Sequence, residues 1–203
     1  MTIIFFIIIL FLSITIHEFA HGWIAYKLGD LTAKHSGRLT LNPLAHIDPF
    51  GTVVLPILTL IISRGLFPFG YAKPVPINPY NFKNPKKDIR WVGLAGPGIN
   101  IIFAIILTLI IKLNISFLQD ALKLGVLINL ILAIFNLIPI PPLDGSKILA
   151  SLLPNKYSYP YLKMEKYGFL IIIFLIMSGF IKWFLIPLVN MIANNILGIN
   201  FII

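Results

Sequence analysis

The sequence predicts an all-α integral membrane protein, a polytopic helical bundle of about five to six membrane segments with one short re-entrant or extended, β-like region. Of its 203 residues, 58% are hydrophobic and only 11% are charged, whereas soluble domains are near a quarter charged. The mean hydropathy is +0.94, and several apolar runs approach the roughly 20 residues that span a bilayer. We expect a single membrane-embedded domain over residues 1–203, with its core at about 3–150 and C-terminal helices within 167–203.

The chain has no cysteine and a formal net charge of +9. Without cysteine there is no disulfide and no thiolate ligand, so any metal must be held by histidine and carboxylate. In a membrane protein a basic excess is typical of cytoplasmic loops beside anionic lipid. Since no soluble domain remains to bind nucleic acid, we expect the lipid bilayer as a partner and no nucleic acid.

Residues of about 3–27 are predicted to form the first span, which we expect to be retained because no basic n-region precedes it. It contains a His-Glu-x-x-His motif at His17, Glu18 and His21. On a helix the two histidines lie one turn apart on one face, where they can hold one zinc ion. Glu18 can then act as general base toward the attacking water. The alternative is a pair of packing histidines with Glu18 hydrogen-bonded between helices, but the cost of such groups in a membrane favours function.

The basic residues that follow the first span set its orientation. His17 lies roughly 20 Å along the helix, in the half nearer the C-terminal end. Lys27, Lys34 and Arg38 come next, so the positive-inside rule places this end in the cytoplasm. We therefore expect a multi-pass protein of the cell membrane with its active site toward the cytoplasmic side.

Residues 28–48 are predicted to form a polar loop. Within it, residues 37–42 alternate between apolar and polar types and predict a short strand that Pro43 ends. His46 and Asp48 are a second possible ligand pair. We favour a local turn network there, because zinc sites usually need three protein ligands.

Residues 50–63 are apolar but shorter than a span, which favours a re-entrant or interfacial segment. The proline-rich stretch 69–79 cannot be a helix interior and predicts an extended edge segment. Several basic residues then place this region on the cytoplasmic side: Lys73, Lys83, Lys86, Lys87 and Arg90.

Two further spans are predicted at 91–111 and 122–138. The first begins with small residues that permit close helix contact, and its Asn100 is expected to hydrogen-bond a neighbouring helix. Residues 146–166 are polar and predict a cytoplasmic surface segment. Another span is predicted at 167–181, and 183–203 is expected to form a last span or to lie in the interface.

Asp144 follows a run of prolines, which break the preceding helix, so we expect it on irregular backbone near membrane depth. Irregular backbone at that depth is tolerated only where it is buried in protein or lines a water-filled cavity. We interpret it as the third zinc ligand. A compatible alternative is that it caps a helix starting near Ser146. Asp144 reaches the same side as His17 and His21 only if residues 50–63 do not cross the membrane.

Four stretches of the sequence match the pattern of a known family. They are His17-Glu18-Phe19-Ala20-His21, Gly70-Tyr71-Ala72-Lys73-Pro74-Val75-Pro76, Gly96-Pro97-Gly98-Ile99-Asn100, and Asn136-Leu137-Ile138-Pro139 followed by Pro142-Leu143-Asp144-Gly145. Through these stretches, which fall within roughly residues 10–150, the chain resembles the site-2 protease family of intramembrane zinc metalloproteases.

The resemblance implies zinc ligands at His17, His21 and Asp144, with Glu18 as the base and one zinc per chain. It also places Asn136 beside the reaction centre, where its amide either stabilises the oxyanion or only makes a hydrogen bond between helices. Many members of the family carry a PDZ or CBS domain. This chain has room for neither and resembles the compact form.

The sequence therefore predicts a zinc-dependent intramembrane endopeptidase that acts on single-span membrane proteins or signal-peptide remnants. Such substrates must unwind locally, and an extended edge at 37–42 or 71–77 could hold them. A zinc transporter would need polar residues along a full path, whereas these cluster at one depth. An inactive scaffold would be expected to lose His17, Glu18 or Asp144, and all three are present.

Overall fold

The computed structural model describes residues 2–62, 70–113 and 118–199, and these ranges contain helices and turns but no strand. The α-helices are α1 (Thr2–Lys27), α2 (Thr32–His35), α3 (Leu55–Ile62), α4 (Pro85–Ile111), α5 (Gln119–Asn136), α6 (Asp144–Leu152), α7 (Asn155–Leu162), α8 (Glu165–Met177) and α9 (Ile186–Ile192). Short 3₁₀ segments lie at Pro43–His46 and Pro79–Asn81, and π-helical segments at Pro49–Val54, Ile181–Leu185 and Ala193–Leu197.

Among the described residues, three helices are long and apolar enough to cross a bilayer: Ile7–Lys27, Pro85–Ile111 and Gln119–Asn136. They correspond to the first three predicted spans, although α4 begins six residues before the predicted start at 91. The span predicted at 167–181 and the segment 183–203, expected as a last span or an interfacial segment, form instead a helix pair, Glu165–Met177 and Ile181–Asn195, bent by 67°. This pair makes a fourth span if it is counted as one; residues 200–203 lie outside the described residues. The remaining segments of the predicted five to six stay a prediction.

The bend in this pair has a local cause. Gly179 lies at the break with φ +79°, a left-handed conformation that residues with a side chain rarely adopt. A Cβ at this position would also lie 3.0 Å from the ring of Trp183. Glycine therefore allows the chain to turn sharply between α8 and the following helical segment.

The central bundle consists of α1, α4 and α5, with α4 antiparallel to the other two. Two layers of contact fix these directions. In one layer Gly125 of α5 contacts Leu107 of α4 and Ile9 of α1, and in the next Asn129 of α5 bonds to Asn100 of α4 and Ser13 of α1. Residue numbers therefore rise along α1 and α5 where they fall along α4. A buried apolar cluster joins α4 and α5 to the C-terminal segment, and it contains Ala104, Leu107, Val126, Leu130, Leu185, Val189, Ala193 and Ile199. Because α4 runs antiparallel to α1 and α5, the C-terminal ends of α1 and α5 lie at the same end of the bundle as the start of α4.

The short strand predicted at 37–42 is absent, because these residues form turns and bends. The backbone N–H groups of Arg38 and Leu39 both donate to the carbonyl of Ala33, which closes the end of α2. The carbonyl of Thr40 accepts a hydrogen bond from the ring of His46 at 3.0 Å. These local bonds use the backbone groups that a strand would need for pairing.

Asp30, in the turn after α1, is fully buried and ties this turn to the connection before α4. Its carboxylate accepts hydrogen bonds from the backbone and hydroxyl of Thr32, the side chain of Asn81 and the backbone N–H of Asn78. Burial alone would raise the pKa of Asp30, but these hydrogen bonds stabilise the charged form and hold the pKa below its ordinary value.

We expect Asp30→Asn to destabilise the protein at neutral pH by about 1–3 kcal/mol, since an amide cannot accept the same set of hydrogen bonds. Because the folded-state pKa is lowered, the contribution of the carboxylate is complete above its unfolded pKa of about 4 and is lost as the pH falls below it. Thermal unfolding in detergent should therefore show a gap between the two proteins at pH 7 that narrows toward pH 3.

The matched control is Asp120→Asn, which changes an exposed carboxylate in the first turn of α5. It should leave the unfolding temperature at pH 7 close to that of the wild type. A gap for Asp30→Asn that is independent of pH would show that the side chain acts through packing and not through its charge.

Candidate metal centre

Three side chains from two distant parts of the chain converge at one buried point. His17 and His21 come from α1, and Asp144 is the first residue of α6; all three are at most 6% exposed. The two histidine Nε2 atoms are 3.0 Å apart, and Asp144 Oδ2 lies 3.1 Å from that of His17 and 3.0 Å from that of His21. Among the described residues, these form the one group of three or more His, Cys, Asp or Glu side chains that could hold a metal ion.

The outer nitrogens of both imidazoles define the tautomers. His21 Nδ1 lies 2.7 Å from the backbone carbonyl of Val92, and His17 Nδ1 lies 2.6 Å from the side-chain carbonyl of Asn100. Because a carbonyl oxygen only accepts hydrogen bonds, each Nδ1 must carry the proton. In the neutral rings both Nε2 atoms are then unprotonated and point their lone pairs at one another and at the carboxylate.

This arrangement fits a zinc ion. Three electron-rich atoms that face one another about 3 Å apart in a buried site repel unless a positive charge lies between them. Two imidazole nitrogens and one carboxylate oxygen are also a common protein donor set for zinc with one position left open. A tetrahedral ion with bonds of about 2.0–2.1 Å requires separations of about 3.3 Å between donor atoms, close to the observed triangle.

Asp144 uses its two oxygens for different partners. Oδ2 faces the histidines, and Oδ1 accepts a hydrogen bond from Lys147 Nζ at 2.9 Å. The predicted alternative, in which Asp144 caps a helix starting near Ser146, is wrong. The helix begins at Asp144 itself, and its N-cap residue Leu143 makes no side-chain hydrogen bond. The lysine holds the carboxylate so that a single oxygen points toward the histidines.

A buried polar network extends the site into the bundle. Asn100 Nδ2 donates to Asn129 Oδ1 at 2.7 Å, and Asn129 Nδ2 donates to Ser13 Oγ at 2.8 Å. The predicted contact of Asn100 with a neighbouring helix is confirmed, since Asn100 bonds to both α1 and α5. Sequence reasoning missed Asn129 and Ser13. Their signal was polarity inside an apolar run, and Ser13 lies one helical turn before His17.

Gly96 of α4 leaves the space that the site occupies. A Cβ at Gly96 would lie 2.3 Å from Nε2 of His21 and 2.5 Å from Nε2 of His17. Two residues further on, a Cβ at Gly98 would meet nothing within 4 Å. Gly96 therefore makes the predicted close helix contact, as does Gly93, where a Cβ would lie 3.1 Å from the carbonyl oxygen of Asp144, whereas Gly98 faces away from the site.

Glu18, the predicted general base, is half-buried on α1 and lies between His17 and His21 in the sequence. Its Oε2 accepts a hydrogen bond from the backbone N–H of Val75 at 2.8 Å. Val75 lies in the proline-rich stretch that precedes α4, which has no regular secondary structure, and its side chain is buried. The structure thus brings a distant backbone donor to the side chain that lies next to His17.

Asn136 lies at the last position of α5. Its Nδ2 donates to the carbonyl of Leu132 at 2.9 Å, one turn earlier in the same helix. In the parts of the chain that the structure describes, no hydrogen bond joins Asn136 to His17, His21 or Asp144.

The second predicted ligand pair forms a local turn network, and this interpretation is confirmed. His46 donates through its ring to the carbonyl of Thr40, and Asp48 accepts from the backbone N–H of Gly51 at 2.7 Å. Asp48 thereby caps the π-helical segment Pro49–Val54. Neither side chain is directed to a shared metal position with a third ligand.

Comparison with known proteins relates this geometry to a family. The pattern of peptidase family M50 matches residues 112–179, which include Asp144. YwhC of Bacillus subtilis strain 168 is 38% identical over 202 residues, covering 94% of this chain and 88% of that protein. Rip2 of Mycolicibacterium smegmatis is 30% identical over 85% of this chain and 67% of its own length.

A more distant relative is MJ0392 of Methanocaldococcus jannaschii, 30% identical over 75% of this chain and 35% of its own length. The names of all three relatives contain the words zinc metalloprotease. No solved structure matches the chain.

We expect Gly96→Ala to lose most of its zinc, because the added methyl group overlaps the two Nε2 atoms that face the metal position. Affinity should fall about tenfold or more, the size of effect seen when groups behind metal ligands are disturbed. Gly98→Ala is the matched control and should retain zinc, since its methyl group enters open space. Metal analysis of both purified proteins tests this; equal zinc content would contradict the assigned metal position.

Proposed function

The chain belongs to peptidase family M50, the site-2 protease family of zinc metalloproteases, and we propose that it is an intramembrane endopeptidase that cuts membrane-spanning segments of other proteins. It is a multi-pass membrane protein with a zinc cofactor. The observation that carries the proposal is the convergence of His17, His21 and Asp144, with Glu18 beside them, among apolar membrane helices. We further propose that residues 1–203 act as one unit.

In the proposed mechanism, His17, His21 and Asp144 hold the metal. When bound, zinc supplies Lewis-acid polarisation of the scissile carbonyl and of the attacking water. Glu18 takes the proton from that water and passes it to the leaving amine, the role of a general base that later acts as an acid. Asn100 keeps the imidazole of His17 in the required tautomer.

We keep Asn136 as a proposed oxyanion donor. It is the last residue of α5, the membrane helix that leads to Asp144, and its amide has two N–H donors. One of these N–H groups donates to the carbonyl of Leu132, which leaves the other for a substrate carbonyl.

Substrates of such a site are membrane proteins whose spans must unwind, because an intact helix satisfies its own carbonyls and amides. We propose single-span proteins and signal-peptide remnants as the substrates. The segment 71–77 is a poorer substrate edge than the sequence suggested. The N–H groups of Tyr71, Lys73 and Val75 already donate within the protein, and Pro74 and Pro76 have none.

Contacts between the two ends of the segment 49–71, whose residues 63–69 lie outside the described residues, support our proposal that this region is re-entrant. The backbone N–H of Tyr71 donates to the carbonyl of Gly51 at 2.9 Å and brings these two ends together. Next to this bond, a Cβ at Gly70 would lie 2.6 Å from the ring of Pro56. The end of α1 and the start of α4 also lie at the same end of the bundle, so the connection between them does not require a crossing.

We propose that this end of the bundle, with the site, faces the cytoplasm at the cell membrane. Basic side chains gather there, as the positive-inside rule requires, between the end of α1 and the first two turns of α4 and again between Asp144 and the start of α8. They are Lys27, Lys34, Arg38, Lys73, Lys83, Lys86, Lys87, Arg90, Lys147, Lys156, Lys163 and Lys166.

A transport function is disfavoured by the interior of the bundle. The polar network ends at Ser13 and Asn129, and the next layer toward the other end is the apolar contact of Gly125 with Leu107 and Ile9. Apart from His17, His21 and Asp144, the described part of the chain contains no group of three His, Cys, Asp or Glu side chains that could hold zinc along that path.

The ligand and base roles are separable by mutation. His17→Ala and Asp144→Ala should lose zinc and activity together, whereas Glu18→Gln should keep about one zinc per chain and lose cleavage by about a hundredfold or more. The measurements are metal content and cleavage of a single-span substrate in detergent, with a chelator control. Cleavage by Glu18→Gln at the wild-type rate would contradict the role of Glu18 as general base. Unchanged zinc content in both His17→Ala and Asp144→Ala would contradict the assigned metal ligands.

The topology is testable because the chain has no cysteine of its own. Single cysteines at Lys34, Lys86 and Arg64, the last of which lies outside the described residues, should escape a membrane-impermeant thiol reagent added to intact cells. A cysteine at Leu113, which is exposed after α4, should react. Labelling at Arg64 from outside would mean that the preceding segment crosses the membrane.

A further inference from the structure

Residues 73–78, which we call the strap, lie across α1 and are held at both ends by charged side chains. At one end, Arg38 donates through Nη2 to the carbonyl of Lys73 at 2.6 Å. At the other end, Asp30 accepts from the backbone N–H of Asn78 at 2.7 Å. Both anchoring side chains are buried, so the ends of the strap are fixed on the region that follows α1.

The middle of the strap contacts Glu18. Between its anchored ends, the backbone N–H of Val75 donates to Glu18 Oε2 at 2.8 Å. The side chain of Val75 packs close to Gly22, where an added Cβ would lie 3.0 Å from Val75 Cγ1. Val75 is flanked by Pro74 and Pro76, which have no N–H, so the strap offers Glu18 a single donor at this point.

We propose that the backbone N–H of Val75 is a positioning group for Glu18, and that the anchored strap fixes the carboxylate for proton transfer. This inference rests on the proposed role of Glu18 as general base. A glutamate side chain on a helix surface has three rotatable bonds, and a proton acceptor must be held in a narrow range of positions to act. A fixed amide on one oxygen restricts this freedom without adding a competing acid.

The contact does not block the base. A carboxylate has two oxygens with about four lone-pair sites, and the strap uses one of them. Oε2 remains on Val75 while the other oxygen is left to accept the proton. A strap in this position therefore orients Glu18 rather than inhibiting it.

The first test does not depend on activity. Because Pro74 and Pro76 contribute no amide, hydrogen exchange in peptides over residues 74–77 reports on Val75 and Ile77 alone. Replacing Glu18 with Ala removes the acceptor, and we expect exchange in these peptides to rise about tenfold or more relative to wild type. Exchange that is unchanged in Glu18→Ala would overturn the proposal, and so would a rise that comes only with loss of zinc.

The second test is kinetic. Val75→Pro removes the donor, and we expect kcat to fall by about tenfold to a hundredfold with KM within about twofold of wild type and zinc content unchanged. Ile77→Pro is the matched control, because it places the same residue in the same stretch and none of the described hydrogen bonds uses the N–H of Ile77. It should retain activity within about threefold of wild type, since no contact with Glu18 is lost.

A double-mutant cycle separates positioning from a general structural effect. In the Glu18→Gln background, Val75→Pro should cause no further loss, because the group that it positions is already disabled. Additive losses, or wild-type kcat in Val75→Pro, would overturn the proposal while leaving the function of Glu18 intact. If Glu18→Gln itself cuts at the wild-type rate, the proposed function fails and the positioning role fails with it. If Val75→Pro does not fold, the exchange measurement on Glu18→Ala decides.

Discussion

The structure depends on one electrostatic constraint: three electron-rich atoms of His17, His21 and Asp144 face one another about 3 Å apart among apolar helices. Such an arrangement is costly without a cation, and each imidazole must be held in the tautomer that leaves Nε2 free. The surrounding bundle serves this constraint. Asn100 and the carbonyl of Val92 accept the outer protons, and both lie on α4. The helix that supplies them can approach this closely because it has no side chain at Gly96.

The connection between α1 and α4 contributes more than a link between two spans. Its charged anchors Asp30 and Arg38 lie after α1, outside the membrane helix, yet they fix a segment whose middle reaches Glu18. The carboxylate of Glu18 therefore meets a backbone donor from a distant part of the sequence. The conformation of this connection therefore affects the position of Glu18, whereas the three side chains at the metal position do not depend on it.

Much of this could be predicted from the sequence. The apolar runs identified α1, α4 and α5, and the His-Glu-x-x-His spacing with Asp144 after the proline run identified the three residues that converge. The strand predicted at 37–42 was wrong for a local reason. These residues form bends because the carbonyl of Ala33 and the ring of His46 form hydrogen bonds with their backbone groups. Asn129 and Ser13 stood out as polar residues in apolar runs, but the sequence did not show which partners they have, because those partners are 29 to 116 residues away. The N–H of Val75 could not be predicted, since a backbone donor leaves no trace in residue types. The sharp bend at Gly179 likewise depends on a φ angle that sequence alone does not specify.

The alternation of prolines in the strap has a consequence for how copies of this protein meet. An extended segment near a membrane surface normally exposes a row of donors and acceptors that can pair with the same segment of a neighbouring molecule. Here the N–H groups of Lys73, Val75 and Asn78 are already bonded within the protein, and Pro74 and Pro76 have no N–H to give. Among the strap residues, only Ile77 has an N–H that none of the described hydrogen bonds uses. The strap therefore has too few free donors for a regular ladder with the same segment of a neighbouring copy, and its proline spacing protects an exposed backbone beside the metal centre from strand pairing between molecules.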